Sequence, residues 1–256
     1  MEQVINEHQR QALNEFGFRA AVPLFCALGE DADHLATGTF IGVGEKCFLL
    51  TARPILDECE AEHIAIATSP EGSGLRTLGN LLIHKPIDQP GTEINIVGIE
   101  IQDEKTIDIV EAGWRMVDMG IGDEANDSDE VVLIGYPSAT LDKANIRITG
   151  RPASIIIALV QEIPSDATPP INPTLHLFLE LPREAIDPAG EIVDIAPIGR
   201  MCGCAIWQLR ELADDELWSP DRALRLVGVQ TSARSGSYFR GKRWTYVHNL
   251  LEQIRS

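Results

Sequence analysis

The chain is poor in positive charge and in aromatic residues. Of its 256 residues, 21 are Lys or Arg and 39 are Asp or Glu, giving a formal net charge of −18, and aromatic residues make up 5%. Such a protein repels phosphate at long range. A single basic group stands out near the C-terminus: Arg234, Arg240, Lys242 and Arg243. We therefore expect no nucleic-acid partner.

Long hydrophobic runs and a secretory-type start are also missing. The chain begins Met-Glu-Gln-Val-Ile-Asn-Glu-His, and no apolar run approaches the ~18 residues that cross a bilayer. We therefore expect a cytoplasmic protein without membrane association. The five cysteines are an odd number, and with 44% hydrophobic residues a core can form without disulfides. We expect reduced thiols.

Motifs for nucleotides and metals are absent. The sequence contains no Walker loop, no Gly-x-Gly-x-x-Gly before a helix and no His-Glu-x-x-His. Its six histidines are scattered, and Cys202 and Cys204 lie closer together than the usual zinc-binding pairs, with no second pair to complete four ligands. We expect neither a cofactor nor a bound metal.

Short apolar segments between turn residues dominate the chain. Thirteen of them, 106–111 included, are rich in Val, Ile, Leu and Phe, which is typical of an all-β barrel or sandwich. Helical spacing is confined to the two ends. Residues 2–16 predict a short helix stopped by Gly17, and the segment from Trp244 to Ser256 predicts a terminal helix with one apolar face.

Two irregular stretches interrupt the apolar segments. The acidic segment from Asp123 to Glu130 divides them into two groups of similar size. The stretch 162–199 holds seven of the 15 prolines. Because proline cannot donate to a strand ladder, we expect loop there around one strand, Leu175 to Leu181.

The order of the segments resembles that of the trypsin-like (chymotrypsin-fold) peptidases over about residues 20–255. In that family a glycine-rich hairpin precedes segments carrying a histidine base, an orienting acid and a serine nucleophile. The matching segments are Gly38-Thr-Phe-Ile-Gly, Cys47-Phe-Leu-Leu-Thr-Ala-Arg-Pro, His84-Lys-Pro, Glu93-Ile-Asn-Ile-Val, Val131-Val-Leu-Ile-Gly-Tyr-Pro, Arg200-Met-Cys-Gly-Cys-Ala-Ile-Trp and Leu226-Val-Gly-Val.

The resemblance implies an all-β fold of two six-stranded antiparallel β-barrels with short N- and C-terminal helices. We place the N-terminal helix in residues 1–17 and the first barrel in 18–122. The second barrel, with the C-terminal helix, takes 123–256. Together they make one peptidase-like domain.

The same resemblance assigns altered residues to the catalytic positions. In the nucleophile motif, Cys204 also stands in place of a glycine and Ala205 in place of the proline. The assigned positions are Pro54 for the base, with Arg53 beside it, Glu93 or Asn95 for the orienting acid, Arg200 for the glycine of the oxyanion hole, Cys202 for the nucleophile and Gly203 for the glycine after it.

These replacements count against peptide hydrolysis. Proline carries no side-chain base, whereas a cysteine of pKa ~8.5 is already a few per cent thiolate at pH 7. The missing histidine would also have protonated the leaving amine, so an activated ester or thioester suits this site better than a peptide. His34 and His63 are candidate substitutes for the base, whereas His84 matches a histidine that the family does not use as the base; a surface or core role is the simpler interpretation of each.

The leading hypothesis is a pseudoprotease that acts as a binding or scaffold module, presenting the former cleft or the proline-rich stretch to a protein or peptide partner. The alternative is a cysteine peptidase or hydrolase with Cys202 as nucleophile and a base from elsewhere. A third hypothesis is an assembly subunit that docks through its acidic surface and terminal helices.

Overall fold

The computed structural model describes most of the chain: residues 6–29, 31–72, 74–87, 93–126, 130–138, 141–144, 147–150, 152–181, 184–186, 192–194, 199–210, 212, 216–234 and 236–255. Residues 127–129 of the acidic segment lie outside these ranges, as do Pro182, Pro188 and Pro197 of the proline-rich stretch.

The first sheet has eight strands, with hydrogen-bonded order β5-β4-β1-β2-β3-β7-β6 and β8 pairing in parallel with β2. Its other pairings are antiparallel. The strands are β1 (Ala21–Leu28), β2 (Asp31–Val43), β3 (Lys46–Ala52), β4 (Ile64–Ala67), β5 (Leu75–Thr77), β6 (Leu81–His84), β7 (Ile96–Ile101) and β8 (Val117–Asp118).

The second sheet has six antiparallel strands in the order β12-β9-β16-β17-β18-β13. A bridge between Leu159 and Leu179 joins its two ends. Two short hairpins, β10–β11 and β14–β15, accompany this sheet. The strands are β9 (Glu130–Gly135), β10 (Leu141–Ala144), β11 (Arg147–Gly150), β12 (Ala153–Ala158), β13 (His176–Glu180), β14 (Glu184–Ile186), β15 (Ile192–Asp194), β16 (Ala205–Leu209), β17 (Leu224–Arg234) and β18 (Tyr238–Arg243).

Helices connect and flank the sheets. They are α1 (Glu7–Ala20), α2 (Ile55–Glu58), α3 (Glu104–Gly113), α4 (Pro220–Ala223) and α5 (Trp244–Arg255), with 3-10 turns at Ala61–His63 and Met119–Ile121. In the described parts of the chain no helix is both long and apolar enough to cross a membrane.

The core has three main parts. One cluster lies within the first sheet and includes Phe40, and another lies within the second and includes Phe239. The largest joins both sheets to α1 and α5, with Phe16 and Trp207 in edge-to-face contact at 5.2 Å between ring centres. The two curled sheets with terminal helices confirm the predicted all-β, chymotrypsin-like two-barrel fold, and the predicted apolar face of α5 buries Leu250 and Leu251.

Residues 106–111, expected to be a strand, form part of α3. The side chain of Asp103 caps this helix by accepting a hydrogen bond from the backbone N–H of Thr106, and Val110 is buried on one face. A strand prediction for this segment was wrong because the local cap and the helical spacing of its apolar residues outweigh the β-branched composition.

The expected stop of α1 at Gly17 was also wrong, since the helix continues to Ala20. A Cβ atom on Gly17 would lie 2.7 Å from Cγ2 of Ile134 in β9. The missing side chain therefore lets α1 approach the second sheet closely, and the glycine does not end the helix.

The expectation of reduced thiols was wrong for two cysteines, because Cys26 of β1 and Cys59 form a disulfide. Cys47, Cys202 and Cys204 are free. The cytoplasmic location expected from the sequence stays a prediction.

Candidate functional site

The candidate nucleophile loop, residues 199–204 before β16, is attached directly to the first sheet. The backbone N–H of Thr37 in β2 donates to the carbonyl of Cys202 at 3.0 Å. Gly203 adopts φ +91°, and a Cβ atom there would lie 2.2 Å from the carbonyl oxygen of Thr37. Only a glycine lets this loop approach the neighbouring strands so closely. The loop therefore lies at the junction of the two sheets.

Cys202 is half-buried, and its sulfur accepts a hydrogen bond from Nε2 of Gln230 in β17 at 3.9 Å. The pKa of the Cys202 thiol is raised, mainly because the thiol is buried. The nearby Glu58 also raises this pKa, whereas the hydrogen bond from Gln230 and the charge of Arg200 lower it in part. Within the described ranges no histidine hydrogen-bonds this sulfur. The thiol thus lacks the partner that would activate it.

Arg200 has an unusual backbone, with φ +74° in the left-handed region that non-glycine residues seldom adopt. Its guanidinium makes an ion pair with Glu58 of α2 and donates to the carbonyl of Leu35 at 3.5 Å. The backbone N–H of Cys202 bonds to its own sulfur, which lowers the pKa of that thiol, while the backbone N–H of Arg200 has no backbone acceptor among the described residues.

Pro54, the residue assigned to the base position, is the N-cap of α2 with φ −56°. Its fixed backbone angle suits the start of a helix. The preceding residue, Arg53, donates its backbone N–H to the carbonyl of Asn95 at 3.1 Å. The short helix then carries Glu58 to the ion pair with Arg200.

Glu93, one of two residues assigned to the orienting acid, is exposed. Its backbone carbonyl accepts a hydrogen bond from the buried ammonium of Lys242 at 2.5 Å, while its carboxylate makes no bond to another described residue. Asn95 is the residue whose backbone lies beside the Pro54 turn. No described contact brings the Glu93 carboxylate to Cys202.

The three histidines considered as substitutes or matches for family histidines lie in separate places. His34 lies 3.3 Å from Oγ of Ser138, which in turn contacts the carbonyl of Gly199, so this histidine lies near the start of the nucleophile loop. His63 faces Glu60 and Glu62, and His84 lies 2.9 Å from the buried carboxylate of Glu100.

Glu60, Glu62 and His63 also form a group whose possible metal-ligand atoms lie within 4.8 Å of one another. Both glutamates are exposed, and such acidic surface groups are common without a metal. We assign no metal to them.

Two residues of the site went unnoticed in the sequence. Gln230 is 1% exposed, and its Oε1 has no hydrogen-bond partner although the atom is buried. Glu58 pairs with Arg200. No sequence signal marked either residue, because Gln230 is a polar residue inside an apolar strand and Glu58 is one of 39 acidic residues.

The basic group near the C-terminus is largely engaged within the protein. Arg234 pairs with Asp166 at 3.0 Å, Arg240 donates to the carbonyl of Thr168 at 2.5 Å, and Lys242 is 2% exposed. These contacts fix the described part of the proline-rich stretch to β17 and β18.

Comparison with known proteins gives a fold and no family. No protein-family model and no curated protein matches the chain. Among solved structures, the scabies mite inactivated protease paralogue S-I1 is 15% identical, with 94% of this chain and 96% of that chain covered at a TM-score of 0.55.

A structure from work on the coupled folding and binding of the intrinsically disordered Sesbania mosaic virus VPg protein is 11% identical, with coverages of 90% and 88% and a TM-score of 0.49. At these identities the likenesses concern the fold alone. The class that the structure defines is therefore a chymotrypsin-like two-barrel protein.

Proposed function

We propose that this chain is a trypsin-fold pseudoprotease that binds a protein or peptide partner in the cleft between its sheets, defined here by Pro54, Glu58, Arg200, Cys202 and Gln230. The observation that carries the proposal is the pairing of Pro54 at the base position with a thiol whose polar neighbours are Gln230, Arg200 and Glu58. An amide and a guanidinium cannot accept the thiol proton, and the Glu58 carboxylate is paired with Arg200.

Catalysis is lost because the site cannot carry out the proton transfers that peptide hydrolysis needs. With its pKa raised by burial, Cys202 is mostly a neutral thiol at pH 7. Peptide hydrolysis also needs an acid for the leaving amine, which proline cannot supply. The scabies mite neighbour is itself an inactivated protease paralogue, which is consistent with a pseudoprotease on this fold.

Binding is supported by the backbone and the side chain of Arg200. This residue adopts the left-handed conformation, turns of this kind form concave sites for oxygen acceptors, and its guanidinium is 41% exposed. A carbonyl oxygen of an extended partner segment is a suitable acceptor. The loop can therefore retain ligand binding after losing the proton-transfer groups.

A second function, a cysteine hydrolase acting through Cys202, is favoured by the partial exposure of the thiol. It requires a base that moves to the sulfur when substrate binds. Activated esters and thioesters, which leave without an acid, are its most suitable substrates.

Thiol chemistry separates the two functions. Iodoacetamide should label Cys202 at pH 7 more slowly than it labels glutathione, and the rate should rise with pH without a plateau below pH 9, because burial raises the pKa. The purified protein should hydrolyse neither a fluorogenic peptide library nor p-nitrophenyl acetate in a Cys202-dependent way. Turnover that disappears in Cys202→Ala and persists in Cys47→Ala would establish the hydrolase instead.

Binding is tested with peptides selected from a random phage-displayed library on the immobilised wild-type protein. Cys202→Ala should retain these peptides, whereas Cys202→Trp should abolish their binding by filling the cleft. Ile87→Trp, a bulky change at a residue 78% exposed in the first half of the chain, is the matched control and should bind normally. Peptides unaffected by Cys202→Trp, or no selected peptide at all, would contradict binding in this cleft.

A further inference from the structure

The ion pair between Arg200 and Glu58 spans the cleft. Glu58 ends α2, which follows β3 of the first sheet, while Arg200 precedes Cys202 in the loop that leads to β16 of the second sheet. The pair therefore links the helix that follows Pro54 to the loop that carries Cys202. Both side chains are partly exposed, so a ligand that binds at this link meets both of them.

The backbone that carries Arg200 is held on both sides. Before it, the backbone N–H of Ser138 donates to the carbonyl of Gly199 at 3.0 Å. After it, Met201 is buried and the carbonyl of Cys202 is bound by Thr37. The guanidinium thus projects from a fixed backbone, which reduces the entropy lost when it binds a ligand.

Arginine is a costly residue for this backbone. A non-glycine residue in the left-handed region is strained, and a glycine at position 200 would avoid that strain. What arginine adds at this position is its guanidinium. Strain of this kind points to a role for the side chain.

We propose that Arg200 selects partner segments with an Asp or Glu side chain, and that Glu58 occupies the guanidinium until such a segment enters. This inference rests on the proposed binding function. A guanidinium binds a carboxylate through two parallel hydrogen bonds, so the ligand carboxylate can replace that of Glu58 group for group. Glu58 acts as an internal competitor.

The exposure of the pair makes the exchange feasible. The side chains of Arg200 and Glu58 are 41% and 48% exposed, and exposed ion pairs contribute little stability. Replacing the Glu58 carboxylate by a ligand carboxylate therefore costs little free energy. The net charge of −18 repels acidic ligands at long range, so the preference for an acidic segment arises from the single contact with Arg200. Binding is best measured at about 0.15 M salt, where the long-range repulsion is screened beyond ~8 Å.

The experiment uses synthetic copies of the phage-selected peptides, with dissociation constants measured by fluorescence polarisation. Replacing one Asp or Glu by Asn or Gln should weaken binding about tenfold, the size of one charged contact. Arg200→Gly, which also relieves the backbone strain, should weaken binding of the acidic peptide equally and leave the neutral peptide unchanged. Glu58→Gln should strengthen binding of the acidic peptide two- to fivefold.

A matched control and the adverse outcomes complete the test. Arg234→Gln removes a similarly exposed arginine, 52% exposed and paired with Asp166, and should change nothing. This inference would be overturned by peptides whose binding is abolished by Cys202→Trp but unchanged by Arg200→Gly and by replacement of their own acidic residues. That result would leave the proposed function intact. If Arg200→Gly does not fold, Glu58→Gln alone decides the test: an unchanged or weaker affinity of that variant for the acidic peptide overturns the inference.

Discussion

Replacing Gly203 by alanine should detach the nucleophile loop from the first sheet. The new Cβ atom would lie 2.2 Å from the carbonyl oxygen of Thr37, 2.2 Å from Oγ1 of Thr51 and 2.8 Å from the backbone nitrogen of Ala52. Two of these atoms belong to the backbone of β2 and β3, which pair with each other, so they cannot give way without disturbing the sheet. The loop must move instead.

The expected loss is the sum of two effects. A φ of +91° costs an alanine about 1–2 kcal/mol relative to glycine. Forcing an extra carbon into a filled space costs a further ~1–3 kcal/mol. The free energy of unfolding should therefore fall by about 2–5 kcal/mol, and binding of cleft peptides should be lost together with the contact between Thr37 and Cys202.

Urea unfolding followed by fluorescence measures this loss, and Gly44→Ala provides the matched control. Gly44 has φ +62° in the turn between β2 and β3, and an added Cβ atom there meets no atom within 4 Å. That variant should lose about 1–2 kcal/mol, the backbone effect alone. Equal losses for the two variants would refute the claim that close contact between the sheets is what requires glycine at position 203.

Two further predictions concern stability. Cys26→Ala with Cys59→Ala, or reduction of the wild type, should lower the free energy of unfolding by about 4 kcal/mol, because the disulfide closes a loop of 33 residues; a wild-type melting temperature unaffected by dithiothreitol would contradict it. Burial and the neighbouring Lys242 and Arg240 lower the pKa of His176 to about 3, so NMR should find its ring neutral at pH 5, and a ring titrating near pH 6.5 would rule this environment out. Since the folded pKa lies below that of the unfolded chain, His176 stabilises fully above about pH 6.5, and this contribution decreases as the pH falls towards 3, a dependence that His176→Asn should remove.

The terminal helices and the β character could be predicted because helical spacing and short apolar segments are local signals, and the two barrels followed from the resemblance of the segment order to the trypsin-like peptidases. Three local expectations failed, two of them for reasons that lie elsewhere in the fold and one for a local reason. Gly17 serves the contact with Ile134, and the pairing of Cys26 with Cys59 depends on β1 meeting the end of α2. For α3 the cap at Asp103 decided the outcome.

The candidate site was only partly predictable. The resemblance assigned Pro54, Arg200 and Cys202 to catalytic positions, and the structure gives their surroundings. Gln230 and Glu58 reach the cleft from elements distant in sequence. Their roles depend on side-chain contacts between the two sheets, which composition and spacing do not encode.

The disulfide gives the two walls of the cleft unequal freedom. Cys59 directly follows Glu58, so its bond to Cys26 fastens the end of α2 covalently to β1. The opposite wall, carrying Arg200, is held by hydrogen bonds to Thr37 and Ser138. The covalent bond should therefore hold the Glu58 side of the cleft more firmly than hydrogen bonds hold the Arg200 side, for as long as the surroundings remain oxidising.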